Sequence, residues 1–139
     1  MMKLGNKDSK VNETILLVED NGALRQMIAK ALRTYGFRVL EAAHGHEARL
    51  IYEREKAPIH LILSNAPIPQ IRGSVISEPL ASIHPEIKVL YMSGYTQNFL
   101  VHQGVLNSEV NFIPKPFKVS TLVKKIRNVL GRSRQERLY

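Results

Sequence analysis

Asn65 closes the run Leu61-Ile62-Leu63-Ser64-Asn65, and the other residues that could do chemistry with it are scattered along the chain. Glu19 and Asp20 follow the apolar run Thr14 to Val18, Ser93 follows Lys88 to Met92, and Lys115 follows Val110 to Ile113. Each run reads as a buried strand that opens into a loop at its C-terminal end. If the strands are parallel, those ends share one edge of a sheet, where open α/β folds bind their ligands. Two carboxylates, an amide, a hydroxyl and an ammonium then converge on one crevice, a better site signal than any of them singly. The amide at the focus is neutral and a poor nucleophile. The site therefore has to be read with that handicap.

The elements that must position these groups alternate. After the first strand, Asn21 caps a helix in which Leu24, Met27, Ile28, Ala31 and Leu32 recur at helical spacing, with Arg25, Lys30 and Arg33 toward water. Gly36 suits its left-handed end. Phe37 to Ala42 is a second strand, and His44-Gly45-His46 turns into a helix from about Glu47 to Lys56, with Ala48, Ile51 and Tyr52 inward. The strand at Leu61 comes third, and a helix from about Ser74 to Ile83 is interrupted by Pro79. The fourth strand precedes a helix from about Gln97 to Gln103 and a loop with Gly104. The fifth precedes a helix from about Val119 to Leu130 that Gly131 stops. Its apolar face is Val119, Leu122, Val123, Ile126, Val129 and Leu130. Five strands alternating with five helices predict an α/β fold, a (βα)5 doubly wound parallel sheet of order 2-1-3-4-5.

Composition sets outer bounds. At 139 residues, 44% apolar and 23% charged, the chain suits one globular domain at 13–131, with a mobile leader at 1–12 and a basic tail at 132–139. No apolar run approaches the roughly 20 residues that span a bilayer, and the N-terminus lacks a signal-peptide core. No cysteine is present, which excludes disulfides, thiolate metal sites and a cysteine nucleophile. A cytoplasmic location is the expectation. From Lys115 onward, eight cations stand against Glu136 alone, so +7 of the net +8 lies in the last 25 residues. Any electrostatic partner is expected there.

Four stretches carry a family resemblance: Val18-Glu19-Asp20-Asn21, Met92-Ser93-Gly94-Tyr95, Lys115-Pro116-Phe117, and Ile68-Pro69 with Gly73. From about Glu13 to Leu130 the chain resembles a response-regulator receiver domain of the chemotaxis-regulator, flavodoxin-like type. Its Met-Ser-Gly-Tyr and Lys-Pro-Phe wording is similar to receivers of hybrid histidine kinases. The resemblance implies Glu19 and Asp20 as the Mg²⁺ pair, Ser93 and Lys115 as phosphoryl contacts, and Phe112 as the switch aromatic. It implies a cis peptide at Lys115-Pro116. It also places Asn65 where the family has its phosphoacceptor aspartate. An acyl phosphate needs a carboxylate nucleophile, and Mg²⁺ binding weakens when an anionic oxygen is lost. Asp20 is left to pair with Lys115. Pro67 fixes its own φ and biases Ala66 away from helical geometry, a stiffening of the loop after Asn65 that favours natural loss of the aspartate over a laboratory substitution.

Blander readings stand beside these. Two acids near a helix N-terminus are favoured by its dipole, Ser93 alone could cap a helix, and Lys115 alone could be a surface lysine. His44 and His46 could ligate a metal but read as a solvated turn; His60, His84 and His102 carry no argument. Met27 and Met92 read as core. The basic C-terminus reads first as a solvated face, then as a docking surface for an acidic protein, and last as a nucleic-acid contact.

The expectation is a degenerate receiver: a phosphorylation-independent interaction module of a two-component system or phosphorelay, not an enzyme. Its partners would be a histidine kinase or another receiver, with a dimer through the last two helices as a further option. The rivals are an active phosphoacceptor, with Asn65 standing for Asp or Ser64 accepting instead, and a small nucleic-acid-associated protein.

Overall fold

The computed structural model describes residues 13–66, 87–104, 106 and 108–138. The expected leader at 1–12, the helix from Ser74 to Ile83 and the loop positions Pro67 to Gly73 lie outside them.

Five strands form one parallel sheet: β1 (Thr14–Val18), β2 (Arg38–Ala42), β3 (Leu61–Asn65), β4 (Lys88–Ser93) and β5 (Asn111–Pro114). Their spatial order is β2-β1-β3-β4-β5, as expected. The register pairs Val18 with both Ala42 and Ser64, Asn65 with Met92, and Ser93 with Pro114. The C-terminal ends are thereby brought level. Between the strands run α1 (Gly22–Thr34), α2 (Gly45–Arg54) and α3 (Gln97–His102), and α4 (Val119–Leu138) follows β5.

β1 and most of β3 are buried on both faces, which is why they read as unbroken apolar runs and not as alternation. On one face Ile15, Leu17, Leu61, Leu63, Leu90 and Met92 pack against Ile28 and Leu32 of α1 and Leu122, Ile126 and Val129 of α4. On the other, Leu16, Val18 and Ile62 pack against Ala48, Ile51 and Tyr52 of α2. A third cluster joins Ala66 and Tyr91 to Leu100 of α3, with Phe112 against it. Each fully buried Leu or Ile contributes about 1.5–3 kcal/mol.

Local chemistry sets the helix starts. The Asn21 side chain accepts from Leu24 N–H at 2.9 Å. At α2, His44 Nδ1 accepts from Glu47 N–H, while Glu47 Oε1 accepts from Ala43 N–H at 2.7 Å, a reciprocal cap. Capping is thus the work of His44. Gly36 takes a φ of 101° at the end of α1, where a side chain would be strained.

Three expectations are corrected. Arg25 and Arg33 do not simply face water: both grip Glu41 of β2, at 3.3 and 3.2 Å, because α1 lies directly over that strand. Met27 is 60% exposed, since the register of α1 turns Ile28 and Ala29 inward in its place, while Met92 is buried. Gly131 does not stop the last helix, which continues to Leu138. A lone glycine costs a helix only about 1 kcal/mol, and the following Arg, Gln and Glu are good helix formers. The expected tail is therefore largely helical.

Gly131 has no positive φ, and a Cβ built there meets nothing within 4 Å. Gly131→Ala is expected to stabilise the domain by about 0.5–1 kcal/mol in urea unfolding. A glycine terminating the helix in left-handed geometry would give a loss instead.

Candidate functional site

The last ladder bonds of the sheet deliver the site residues to one rim. Glu19 N–H donates to Ala42 carbonyl at 3.0 Å, Ala66 N–H to Met92 carbonyl at 2.8 Å, and Lys115 N–H to Ser93 carbonyl at 2.7 Å. Each strand therefore keeps its pairing up to the residue where the polar group is set.

Glu19 is the surprise of the rim. It is 2% exposed, whereas Asp20 is exposed and forms no ion pair among the described residues. The Lys115 ammonium donates to Glu19 Oε1 at 3.0 Å and to Asn65 Oδ1 at 2.7 Å. Lysine thus pairs with Glu19, not with Asp20 as expected; the backbone after β1 turns Glu19 in under the rim and Asp20 out. Glu19 Oε2 accepts from Asn21 N–H at 3.0 Å, and Glu19 carbonyl accepts from Arg25 Nη1 at 2.8 Å. Burial acts to raise the Glu19 pKa, but the Asn21 N–H, the Lys115 ammonium and the Asn65 side chain outweigh it. The carboxyl titrates below the ordinary glutamate value.

Ser93 is 7% exposed, and its Oγ accepts from Tyr95 N–H at 2.9 Å. Ser64 is 1% exposed, and its hydroxyl donates to Asn65 carbonyl at 3.1 Å. The Lys115-Pro116 peptide is cis, as expected. Asp20, His44, Asn65, Ser93, Tyr95 and Lys115 are among the residues lining a cleft of about 340 Å³ at this edge. Phe112 lies one strand over from Tyr91, half-buried against the α3 cluster.

The expected convergence of Glu19, Asn65, Ser93 and Lys115 is therefore found, and Asp20 stands at its margin. Sequence reasoning missed Arg25, which ties the Glu19 peptide to β2 through Glu41. Its spacing of five residues from Asp20, on the first turn of the helix, was the available signal. His60 was also passed over; its Nδ1 accepts from Thr14 N–H and joins β3 to the start of β1.

Known proteins agree with this geometry. The family model for the response regulator receiver domain matches residues 15–127. The chain belongs to that family. It is 32% identical over 123 residues to the sensor kinase CckA of Brucella abortus, covering 88% of this chain and 13% of the kinase. It is 28% identical over 117 residues to the response regulator receiver protein CpdR of the same organism, covering 84% of this chain and 95% of CpdR. Among solved structures, the receiver domain of the hybrid histidine kinase CckA superposes with a TM-score of 0.64 at 33% identity, covering 84% and 98% of the two chains. The Vibrio cholerae chemotaxis protein CheY4 gives 0.68 at 27%, covering 86% and 99%.

Receiver domains bind Mg²⁺ at their acidic phosphorylation site. The donor set of this receiver does not match that ion. Glu19 is buried and engaged by Lys115 and Asn21, Asn65 Oδ1 accepts from Lys115, and Asp20 is the one exposed carboxylate for a cation that wants six hard oxygens. Among the described residues no three acidic or imidazole groups gather around one point.

The lowered Glu19 pKa has a definite sign in stability. The folded state holds its proton less tightly, so the contribution is full above the unfolded glutamate pKa, about 4.3, and is lost as pH falls through the lower folded value. Glu19→Gln is expected to make the acid limb of the stability–pH curve shallower by up to about one proton. Urea unfolding at a series of pH values measures that slope; an unchanged limb would mean that Glu19 is not a linked group.

Proposed function

We propose that this receiver is degenerate: a phosphorylation-independent interaction module of a two-component pathway, not itself an enzyme, whose partner is a histidine kinase or another receiver. The observation that carries this reading is Asn65 at the end of β3, an amide whose Oδ1 accepts from Lys115 at 2.7 Å. Phosphoryl transfer to this position needs an anionic oxygen attacking in line, and an amide offers neither the charge nor the nucleophilicity. Glu19 and Asp20 are then the remnant of a metal pair, and Ser93 and Lys115 are phosphoryl-contact positions without a phosphoryl group. Phe112 is the switch aromatic without its trigger. Similarity to the CckA receiver favours a kinase-associated role.

The partner surface is a separate matter from the rim. α4 turns Lys124 and Arg127 to solvent, and a cation on that face favours an acidic protein over a second copy of a chain carrying +8. Binding there is expected to weaken as salt rises.

Intact mass after incubation with an acyl-phosphate donor and Mg²⁺ is expected to stay unchanged for the native chain. A gain of one phosphate, at Ser64 or elsewhere, would overturn the reading. Asn65→Asp is expected to gain a phosphate under the same conditions, in proportion to Mg²⁺, because the variant returns a nucleophile to a rim that keeps its other groups. A variant that folds, binds the metal and stays inert would place the defect in the loop beyond β3.

A further inference from the structure

Two histidines accept hydrogen bonds from the backbone, one at each edge of the sheet. His60 stands just before β3. Its backbone N–H donates to Thr14 carbonyl at 2.9 Å, and its Nδ1 accepts from Thr14 N–H at 2.9 Å. The imidazole thus takes the place of the carbonyl that would continue the β1–β3 ladder ahead of Ile15 and Leu61. Thr14 is 3% exposed, so withdrawing that acceptor would strand a buried donor. His44 stands at the opposite edge, after β2. Its Nδ1 accepts from Glu47 N–H at 3.2 Å as the N-cap of α2, and the residue lines the rim cleft.

Both bonds need the neutral ring. An imidazole accepts only through an unprotonated nitrogen, and in the charged form both nitrogens are donors. Protonation would therefore set N–H against N–H at Thr14 and at Glu47, and at α2 it would add a cation to the positive end of the helix dipole. The charges around each ring are mixed. His46 stacks beside His44 with centroids 6.4 Å apart, Glu47 accepts from Ala43 N–H, and Asp20 and Lys115 line the same cleft. Around His60, β2 brings Arg38, which lies within 3.5 Å of Thr14 Oγ1 and pairs with Glu55 at the end of α2. β4 brings Lys88 beside Leu61, and Glu13 precedes Thr14.

We propose that His44 and His60 are an acid-responsive pair of locks: as neutral acceptors they hold the starts of α2 and β1, and proton uptake releases both and loosens the domain. The device is separate from the phosphoryl chemistry of the rim and gives the module a sensitivity to acid. Histidine changes charge between about pH 5 and 8, above the range in which Glu19 acts. The unfolded chain accepts protons that these two bonds oppose in the fold, so stability is full at the alkaline end of that range and falls as pH falls.

Urea unfolding of the whole chain from about pH 8 down to about pH 5.5, inside the histidine range, tests it. The native chain should lose stability toward acid, with a slope approaching about two protons. His44→Asn and His60→Asn each keep a short side-chain acceptor that does not titrate, and asparagine is a favoured N-cap. The double variant should fold and give a flatter curve, whereas His102→Gln should keep the native slope. Hydrogen exchange of the native chain reads the two places directly. Protection at Thr14, corrected for the intrinsic pH dependence of exchange, should drop by about tenfold over the same range. A smaller drop is expected at Glu47, whose N–H is nearer solvent. A native stability curve that is flat over this range would overturn the proposal, as would a double variant that keeps the native slope. If the double variant does not fold, exchange decides alone: protection at Thr14 and Glu47 that ignores pH sinks the idea.

Discussion

The rim depends on one lysine held between a buried carboxylate and an amide. Glu19 could not be 2% exposed and ionised without a counter-charge, because a buried unpaired carboxylate protonates or forces the chain open. Lys115 supplies that charge from the far side of the sheet, and the backbone of Asn21 supplies the second hydrogen bond. The ladder bonds that carry β3 and β5 to their last residues set the distances at which this works. Arg25 completes the arrangement from outside by clamping the Glu19 carbonyl and leaning on Glu41.

Asn65 also sets the electrostatics of the rim. An aspartate would compete with Glu19 for the lysine and add a charge to a sheltered edge; asparagine accepts from the same ammonium without that charge. The neutral amide therefore suits a closed rim with a single ammonium. Glu19 and Lys115 remain useful in such a receiver as structure, whatever their role as chemistry.

The second feature of the chain is its charge asymmetry. Apart from Lys115, which sits in the rim, the cations Lys118, Lys124, Lys125 and Arg127 lie on or just before α4, a helix of 20 residues spanning about 30 Å. Its inner face is committed to the core through Leu122, Val123, Ile126, Val129 and Leu130. The solvent-facing positions are left with Lys124 and Arg127. The Arg127 guanidinium lies 6.0 Å from the ring centroids of both Tyr35 and Phe37, so the aromatic end of α1 steadies part of this basic surface. Rim and basic face are built from different residues and can be tested apart.

Sequence by itself determined the strand order, the edge on which the polar groups meet, and the amide that ends the third strand. Apolar runs such as Leu61 to Leu63 admit burial on both faces, and right-handed crossovers between them leave few topologies. Tertiary structure alone decided which acid is buried. Glu19 and Asp20 are adjacent and chemically alike, and only the turn after β1 sends one under the rim to Lys115 and the other to solvent. The same holds for Arg25, whose partner lies 16 residues away on another strand, and for Met27, whose exposure depends on a rotation of α1 that apolar spacing leaves open. The path past Gly131 was likewise undecided, since one glycine neither ends a helix nor continues it without its surroundings. Periodicity names a face to within a residue or so. Pairing of side chains across 50 or 96 residues is a property of the packed sheet.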